Sequence, residues 1–297
     1  MSTRIGLRKH TVDITANIPP FPKAARRVLM MLRDPGVELT RVAEVVSLDQ
    51  ALAGRVLRLA NSAYFGLPRR INGVTEALVL LGFVNVRNVL ISASVGHILF
   101  DGAKSYGLEP GALWEHSVGA AHTAQILTRK VDIRKYDVAF SAGLLHDIAK
   151  IVIDRSLKGD AKAELLSAIN TAGEIEAETE MLGASHAEIG SRICQRWNLP
   201  AEIVEAVGFH HDPGAYTGND RLPSIVAASN LCSRAVLSGT GVICEDLFAS
   251  APEGVFVPDA LTLRKLSEDL PAIVASSRDL LEGTTEDITS SAKPAEK

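Results

Sequence analysis

Apolar residues recur along this chain every three to four positions, the spacing that gathers them on one face of an α-helix. Ala25, Val28, Leu29 and Leu32 form the first such stripe. Pro22 suits its opening turn, and Asp34-Pro35-Gly36 ends it. A second helix is predicted over Thr40–Val46. Ser47-Leu48-Asp49-Gln50 then has the form of a capping box, with Ser47 as N-cap of a helix carrying Leu52, Val56, Leu59 and Ala60. Asn61 to Gly66 reads as a loop. Two more helices, Thr75–Leu81 and Asn85–Phe100, are separated by Gly82.

Glu109-Pro110-Gly111 interrupts the pattern and is read as a domain boundary. Beyond it, Leu113–Thr128 is a helix. Tyr136–Ile153 is apolar on nearly every side, which predicts one long, central, buried helix. Ala161–Asn170 and Ile175–Met181 follow as helices. Ser185-His186-Ala187-Glu188 is a second capping box, placing His186 in a first helical turn. Pro200 opens a helix reaching His210-His211, and Leu222-Pro223 opens another through Val236. No stretch alternates with the period of two that a half-buried strand requires. The predicted fold class is all-α. A helical amino-terminal subdomain (15–110) follows a short extension (1–14) and packs on a second helical subdomain (111–281). The Thr-, Ser-, Lys- and Glu-rich tail (282–297) is expected to be disordered.

Composition adds limits. Of 297 residues, 46% are hydrophobic, ample for a packed core, and 5% are aromatic. The formal net charge of −4 argues against broad contact with a nucleic-acid backbone. No apolar run is long enough to cross a bilayer, and no apolar segment follows the basic residues of the first nine, so a cytoplasmic protein is expected. The three cysteines, Cys194, Cys232 and Cys244, show no metal-binding spacing. Arg26-Arg27 and Arg69-Arg70 read as solvated charges.

The chemistry lies in the histidines. Six of the eight fall within a hundred residues. Five of them, with one aspartate, form an ordered set: His116, His146-Asp147, His186 and His210-His211. Imidazole and carboxylate together suit a divalent metal ion, and an all-helical protein must collect such ligands from several helices. Taken singly, each histidine reads as a polar residue at a helix end; the set in this order does not. His122 lies six residues after His116, on another helical face, and is excluded; His10 and His97 receive no role.

In this order the set resembles the HD superfamily of metal-dependent phosphohydrolases. A narrower resemblance covers residues 15 to 240. Ile18-Pro19-Pro20-Phe21-Pro22, Leu57 to Gly66 and Ala77 to Gly82 are similar to the amino-terminal signature of the HDOD (HD-related output domain) family. Leu113 to Ser117, Ala142 to Lys150, His186 to Gly190, Trp197 to Pro200 and His210 to Pro213 continue it. The resemblance implies an all-α fold and a bacterial signal-transduction module. Such a module acts by binding a protein, such as a receiver, kinase or cyclic-nucleotide-turnover component, or a nucleotide ligand, without catalysis. The alternative it implies is a metal-dependent phosphohydrolase, with Lys150 contacting phosphate. The cofactor that the resemblance implies is a divalent metal ion, with His116, His146, Asp147, His186, His210 and His211 as candidate ligands; on the non-catalytic reading the same residues can instead line a structural or ligand-sensing pocket. One departure separates the two. Asn230 stands where catalytic relatives carry the last acidic ligand, and an amide oxygen brings no charge to offset a metal. The Gly-Tyr-Pro segment of cyclic-di-GMP phosphodiesterases is also absent after His210-His211.

Overall fold

The structure is a computed structural model, and it describes residues 18–32, 34, 36–61, 69–238, 243 and 245–290. Thirteen α-helices carry the fold, with no β-strand among the described residues. The first three, α1 (Lys23–Met31), α2 (Leu39–Ser47) and α3 (Gln50–Ala60), pack around α4 (Val74–Phe100). Gly82 interrupts α4 as expected, at φ 71 and ψ 167, a conformation that only glycine adopts without strain. The second half of α4 is buried against α5 (Ala112–Val131), α6 (Tyr136–Leu145) and α7 (Ile148–Ser156). Next come α8 (Ala161–Ala172), α9 (Glu174–Leu182), α10 (His186–Arg196), α11 (Ala201–Phe209), α12 (Leu222–Leu237) and α13 (Ala260–Ser290). One apolar core runs through all of it, from Phe21 to Val274. The Pro-rich entry segment is tied to the far half, because Trp197 Nε1 donates to Pro19 O at 3.0 Å and its ring meets Phe21 at 5.1 Å.

Two sequence expectations need correction. Ser47 does not cap α3, since it is the last residue of α2. The cap is Asp49, whose extended backbone frees its carboxylate to accept from Leu52 N at 3.0 Å. The long apolar helix over Tyr136–Ile153 is two helices. The chain turns at Asp147 (φ −104, ψ 9), so α6 ends at Leu145 and α7 begins at Ile148. Both sides of the break are buried, so no polar residue outside the His-Asp doublet marks it. The last helix runs from Ala260 to Ser290. Helix extends cheaply from a stem that packing has already nucleated, here at Leu263, Leu266, Leu270 and Val274. The 1–14 extension, most of the Asn61 to Gly66 loop, Cys244 and the last seven residues lie outside the described residues.

The crossing of α5 and α6 is a close one, and it bears on the site. A Cβ on Gly143 would sit 2.7 Å from Ala121 Cα and 2.8 Å from Ala120 O, both backbone. Gly143→Ala should therefore push the two helices apart and destabilise the protein by about 1–3 kcal/mol, as overpacking does. Gly54, inside α3, should give the opposite sign, because a Cβ there would meet nothing within 4 Å. Gly54→Ala should stabilise by about 0.5–1 kcal/mol. Urea unfolding of both variants checks the pair, and equal effects would show that the α5–α6 contact is slack.

Candidate metal centre

Most of the six candidate ligands sit at helix ends. His146 is the C-cap of α6, and its Nδ1 donates to Gly143 O at 2.7 Å. His210 repeats the device at the end of α11, with Nδ1 donating to Val207 O at 2.7 Å. The last carbonyls of a helix lack intrahelical partners, so each imidazole satisfies one of them. The bond also fixes the tautomer and leaves Nε2 with its lone pair facing the centre. His186 begins α10 behind Ser185, whose Oγ accepts from Glu188 N at 3.2 Å, as the capping pattern predicted. His186 Nδ1 is held by both oxygens of Glu178, at 2.9 and 2.8 Å. His116 comes from the first turns of α5, and its carbonyl accepts from Ser233 Oγ of α12 at 2.8 Å.

These histidines surround Asp147, and its two oxygens face different groups. Oδ2 lies 3.4 Å from His116 Nε2 and 3.4 Å from His146 Nε2. Oδ1 lies 3.1 Å from His186 Nε2 and 3.7 Å from His210 Nε2. His116 and His146 place their Nε2 atoms 3.1 Å apart, and His186 and His211 do so at 3.0 Å. Ligand atoms about 2.0–2.1 Å from one metal ion, at angles between a right angle and tetrahedral, are separated by roughly 2.9–3.4 Å. All but the His210 contact fall in that interval. His116, His146 and Asp147 form one group able to hold an ion, and Asp147, His186, His210 and His211 form another. Their donors fit the cofactor that the sequence implied. Three buried atoms here lack hydrogen bonds that their chemistry calls for: Asp147 Oδ1, His210 Nε2 and Asn230 Oδ1. Asp147 Oδ1 is close to His186 but outside hydrogen-bond geometry. Asn230 lies one turn before Ser233 on α12, on the side that reaches His116.

Three side chains outside the predicted ligand set complete the surroundings. Glu178 on α9 is fully buried, also accepts from His186 N and receives Tyr106 Oη at 2.6 Å. Glu174, at the start of α9, accepts from Lys150 Nζ at 2.9 Å. Lys150 itself donates to Asp147 Oδ2 at 2.9 Å. Nothing in the spacing of the run Glu174 to Glu180 separates the inward-turned Glu174 and Glu178 from Glu176 and Glu180, so the sequence carries no signal for them.

The electrostatics follow from this packing. Burial would raise the Asp147 carboxyl, but His146 and Lys150 overcome it and hold it well below the usual range. Burial lowers His146. It also takes His210 down to about 4 and depresses His211, with neighbouring imidazoles adding to the effect on both. His186 differs. Burial works against its charge, yet Glu178 and Asp147 lift it to about 9. Among the described residues the excluded His122 faces elsewhere, edge-on to Phe140 at 5.8 Å, and burial brings it to about 4.

The family pattern of the HDOD domain matches residues 18–213, a span that takes in every candidate ligand named above. This chain belongs to the HDOD family. An uncharacterized protein of Treponema pallidum is 30% identical over 233 residues, 75% of this chain and 43% of that protein. Ribonuclease Y of Thermus thermophilus is 32% identical over 140 residues, 46% of this chain and 18% of the ribonuclease. This HDOD chain thus spans less than half the length of either relative. Among solved structures, an HDOD domain protein of unknown function from Geobacter sulfurreducens shares the fold at a TM-score of 0.65 and 22% identity, over 96% of this chain and 95% of that one. A Shewanella amazonensis protein provisionally named a phosphohydrolase does so at 0.72 and 23%, over 91% and 96%.

His122 yields a test separate from the centre. Its folded value, near 4, lies below the ordinary 6.5, so the unfolded chain takes up the proton first as pH falls. Stability from this residue is complete above 6.5 and is lost on descending toward 4, by on the order of 3 kcal/mol. Unfolding measured across that window should be less acid-sensitive in His122→Leu than in the native chain. Parallel curves would show that His122 is hydrated.

Proposed function

We propose that this HDOD chain is a regulatory signal-transduction module whose buried histidine–aspartate centre holds a divalent metal ion, and that it acts by binding a protein or nucleotide partner without turnover. The observation that carries this reading is the burial of the ligand set. His146 and His186 are 0% exposed, Asp147 is 1%, His210 is 2% and His116 is 8%. A catalytic metal needs an open position and room for substrate beside it. With five of the six candidate ligands buried and only His211 half-buried, the centre suits a metal that shapes the fold or senses a ligand. Asn230 supports the same reading, because it supplies no charge at the place of an acidic ligand. Lys150 does so too, with its ammonium set against the oxygen of Asp147 that faces His116 and His146. Partners of the signalling class, such as receiver, kinase or cyclic-nucleotide-turnover proteins, fit a module of this family. No described helix is long and apolar enough to cross a membrane.

The competing reading, a metal-dependent phosphohydrolase, draws on one feature of the geometry. The two oxygens of Asp147 face two ligand groups, the arrangement of a two-metal site that clamps a transferring phosphoryl group. The names of the Shewanella protein and of ribonuclease Y point the same way.

Elemental analysis of protein purified without added metal, joined to assays on nucleotides and generic phosphodiesters, separates the two readings. We expect bound divalent metal that His146→Ala and Asp147→Ala remove, with no hydrolysis above background. Asn230→Asp should tighten metal binding in calorimetry, because it adds a carboxylate. Metal-dependent hydrolysis by the unaltered chain, abolished by the same two substitutions, would establish the phosphohydrolase instead. An unchanged affinity in Asn230→Asp would remove Asn230 from the site.

A further inference from the structure

Two features of the amino-terminal half meet at one ion pair. The first is a groove of about 770 Å³ between the end of α3 and the segment leading into α4. Leu57, Arg58 and Asn61 line it on one side, and Arg69, Arg70 and Ile71 on the other. Among the described residues along it, three are arginines and none is acidic. Asn61 fixes its shape. Its Oδ1 accepts from Ile71 N at 2.7 Å, and its Nδ2 donates to Ile71 O at 2.7 Å and to Leu57 O at 2.9 Å. Ile71 is buried in the core, so the backbone carrying Arg69 and Arg70 is pinned while their side chains stay exposed. The second feature is an apolar strip on α4. Val79 is 54% exposed, Leu80 46%, and Phe83, just past the turn at Gly82, 45%. Glu76, one turn before Val79 and Leu80, shares their face and accepts from Arg69 Nη2. That ion pair joins the strip to the groove.

A lone exposed leucine is ordinary, whereas neighbouring exposed apolar residues rimmed by charge mark a contact site. Arginine is enriched at such sites, and its rigid fork of donors matches a carboxylate. We propose that the strip and the groove form one docking surface, and that its occupant is an acidic, apolar segment of a protein partner: an amphipathic helix with leucines on one face and carboxylates along its edge. This surface gives the protein-binding reading of the chain its place on the fold, and it rests on that reading. Charge selects the occupant. The chain is acidic overall, at −4, so a surface with three arginines and one paired glutamate is a local reversal of sign. A second copy of the chain fits poorly, because an isologous dimer sets a patch against itself and brings these arginines toward their own copies. A nucleic-acid backbone matches the arginines but leaves the strip uncovered. In the docked state the partner's apolar side chains cover Val79, Leu80 and Phe83, and its carboxylates face Arg58, Arg69 and Arg70.

The test uses the full chain and a fluorescein-labelled peptide of repeated Leu-Leu-Glu-Glu, read by fluorescence anisotropy beside the same peptide with glutamine for glutamate. The native chain should bind the acidic peptide at least about tenfold more tightly than the glutamine peptide, and added salt should narrow the gap. Leu80→Gln with Phe83→Gln should weaken binding by about tenfold or more, and so should Arg69→Gln with Arg70→Gln. All four side chains are exposed, so the fold is retained. Arg26→Gln with Arg27→Gln removes the same charge from exposed positions of α1 and should leave affinity within about twofold. Equal affinity for the two peptides would overturn the proposal, and so would an equal loss in the α1 variant. Tighter binding of a labelled oligouridylate than of the acidic peptide would assign the groove to nucleic acid and overturn it as well. A dimer seen in sedimentation and abolished by Leu80→Gln with Phe83→Gln would give the strip to a second copy, with the same consequence. Hydrolysis assays on the same samples keep two failures apart. A native chain that neither hydrolyses nor binds the peptide loses this surface and keeps the regulatory reading. A native chain that hydrolyses loses that reading, and the docking role falls with it.

Discussion

A carboxylate at the middle of a protein, with 1% of its surface exposed, is the condition around which this HDOD fold is arranged. Burying such a charge without compensation is prohibitive, so the surroundings must supply it. Asp147 obtains one fixed cation, Lys150, three positions along α7 and itself buried. It obtains a second from His186, which Glu178 helps keep protonated. Neither compensating group is free to leave. Lys150 is tied outward to Glu174, and His186 is tied to Glu178, which Tyr106 holds in turn. Tyr106 belongs to the short connection between α4 and α5, so the turn that links the two halves of the molecule is anchored to the shell of the centre.

Helix ends explain how so many imidazoles reach one point. Successive residues of a helix point about a quarter-turn apart, so an unbroken helix through residues 136–153 would aim His146 and Asp147 in different directions. The turn at Asp147 lets both face inward. The same logic recurs at His210, where α11 stops and its orphan carbonyl orients the ring. Ending helices in the interior leaves backbone groups unsatisfied, and the histidine Nδ1 atoms meet part of that need. The close approach of α5 and α6 over Gly143 brings His116 to His146, with 3.1 Å between their Nε2 atoms.

These features are unequally legible in the sequence. The ligand set is visible because His and Asp are uncommon in apolar helices and their order matches a known pattern. The helices are visible from periodicity, and Gly82 and Ser185 announce their roles. The break at Asp147 is not, because a buried helix and two buried half-helices share the same apolar composition. Tertiary contacts, not local preference, decide where the chain turns. The cap of α3 is ambiguous because Ser47 and Asp49 are both good N-caps two residues apart, and only the backbone at Leu48 chooses between them. Glu178 and Glu174 escape notice for a related reason. On a helix rich in glutamate, a carboxylate turned inward has the same sequence context as one turned to water. What distinguishes Glu178 is a partner eight residues on, and what distinguishes Glu174 is a lysine on another helix.

The charge count around Asp147 couples the proposed metal to protons. Lys150 and a protonated His186 balance Asp147, with Glu178 and Glu174 balancing them in turn. A metal ion can use His186 Nε2 only as a neutral ligand, so it must displace the proton that Glu178 and Asp147 retain to about 9. His146, His210 and His211 present no such competition, since burial already keeps them neutral. The two halves of the centre are thus chemically unequal. The His116–His146 half competes for Asp147 with the fixed ammonium of Lys150. The His186–His210–His211 half competes with a proton, which is removable.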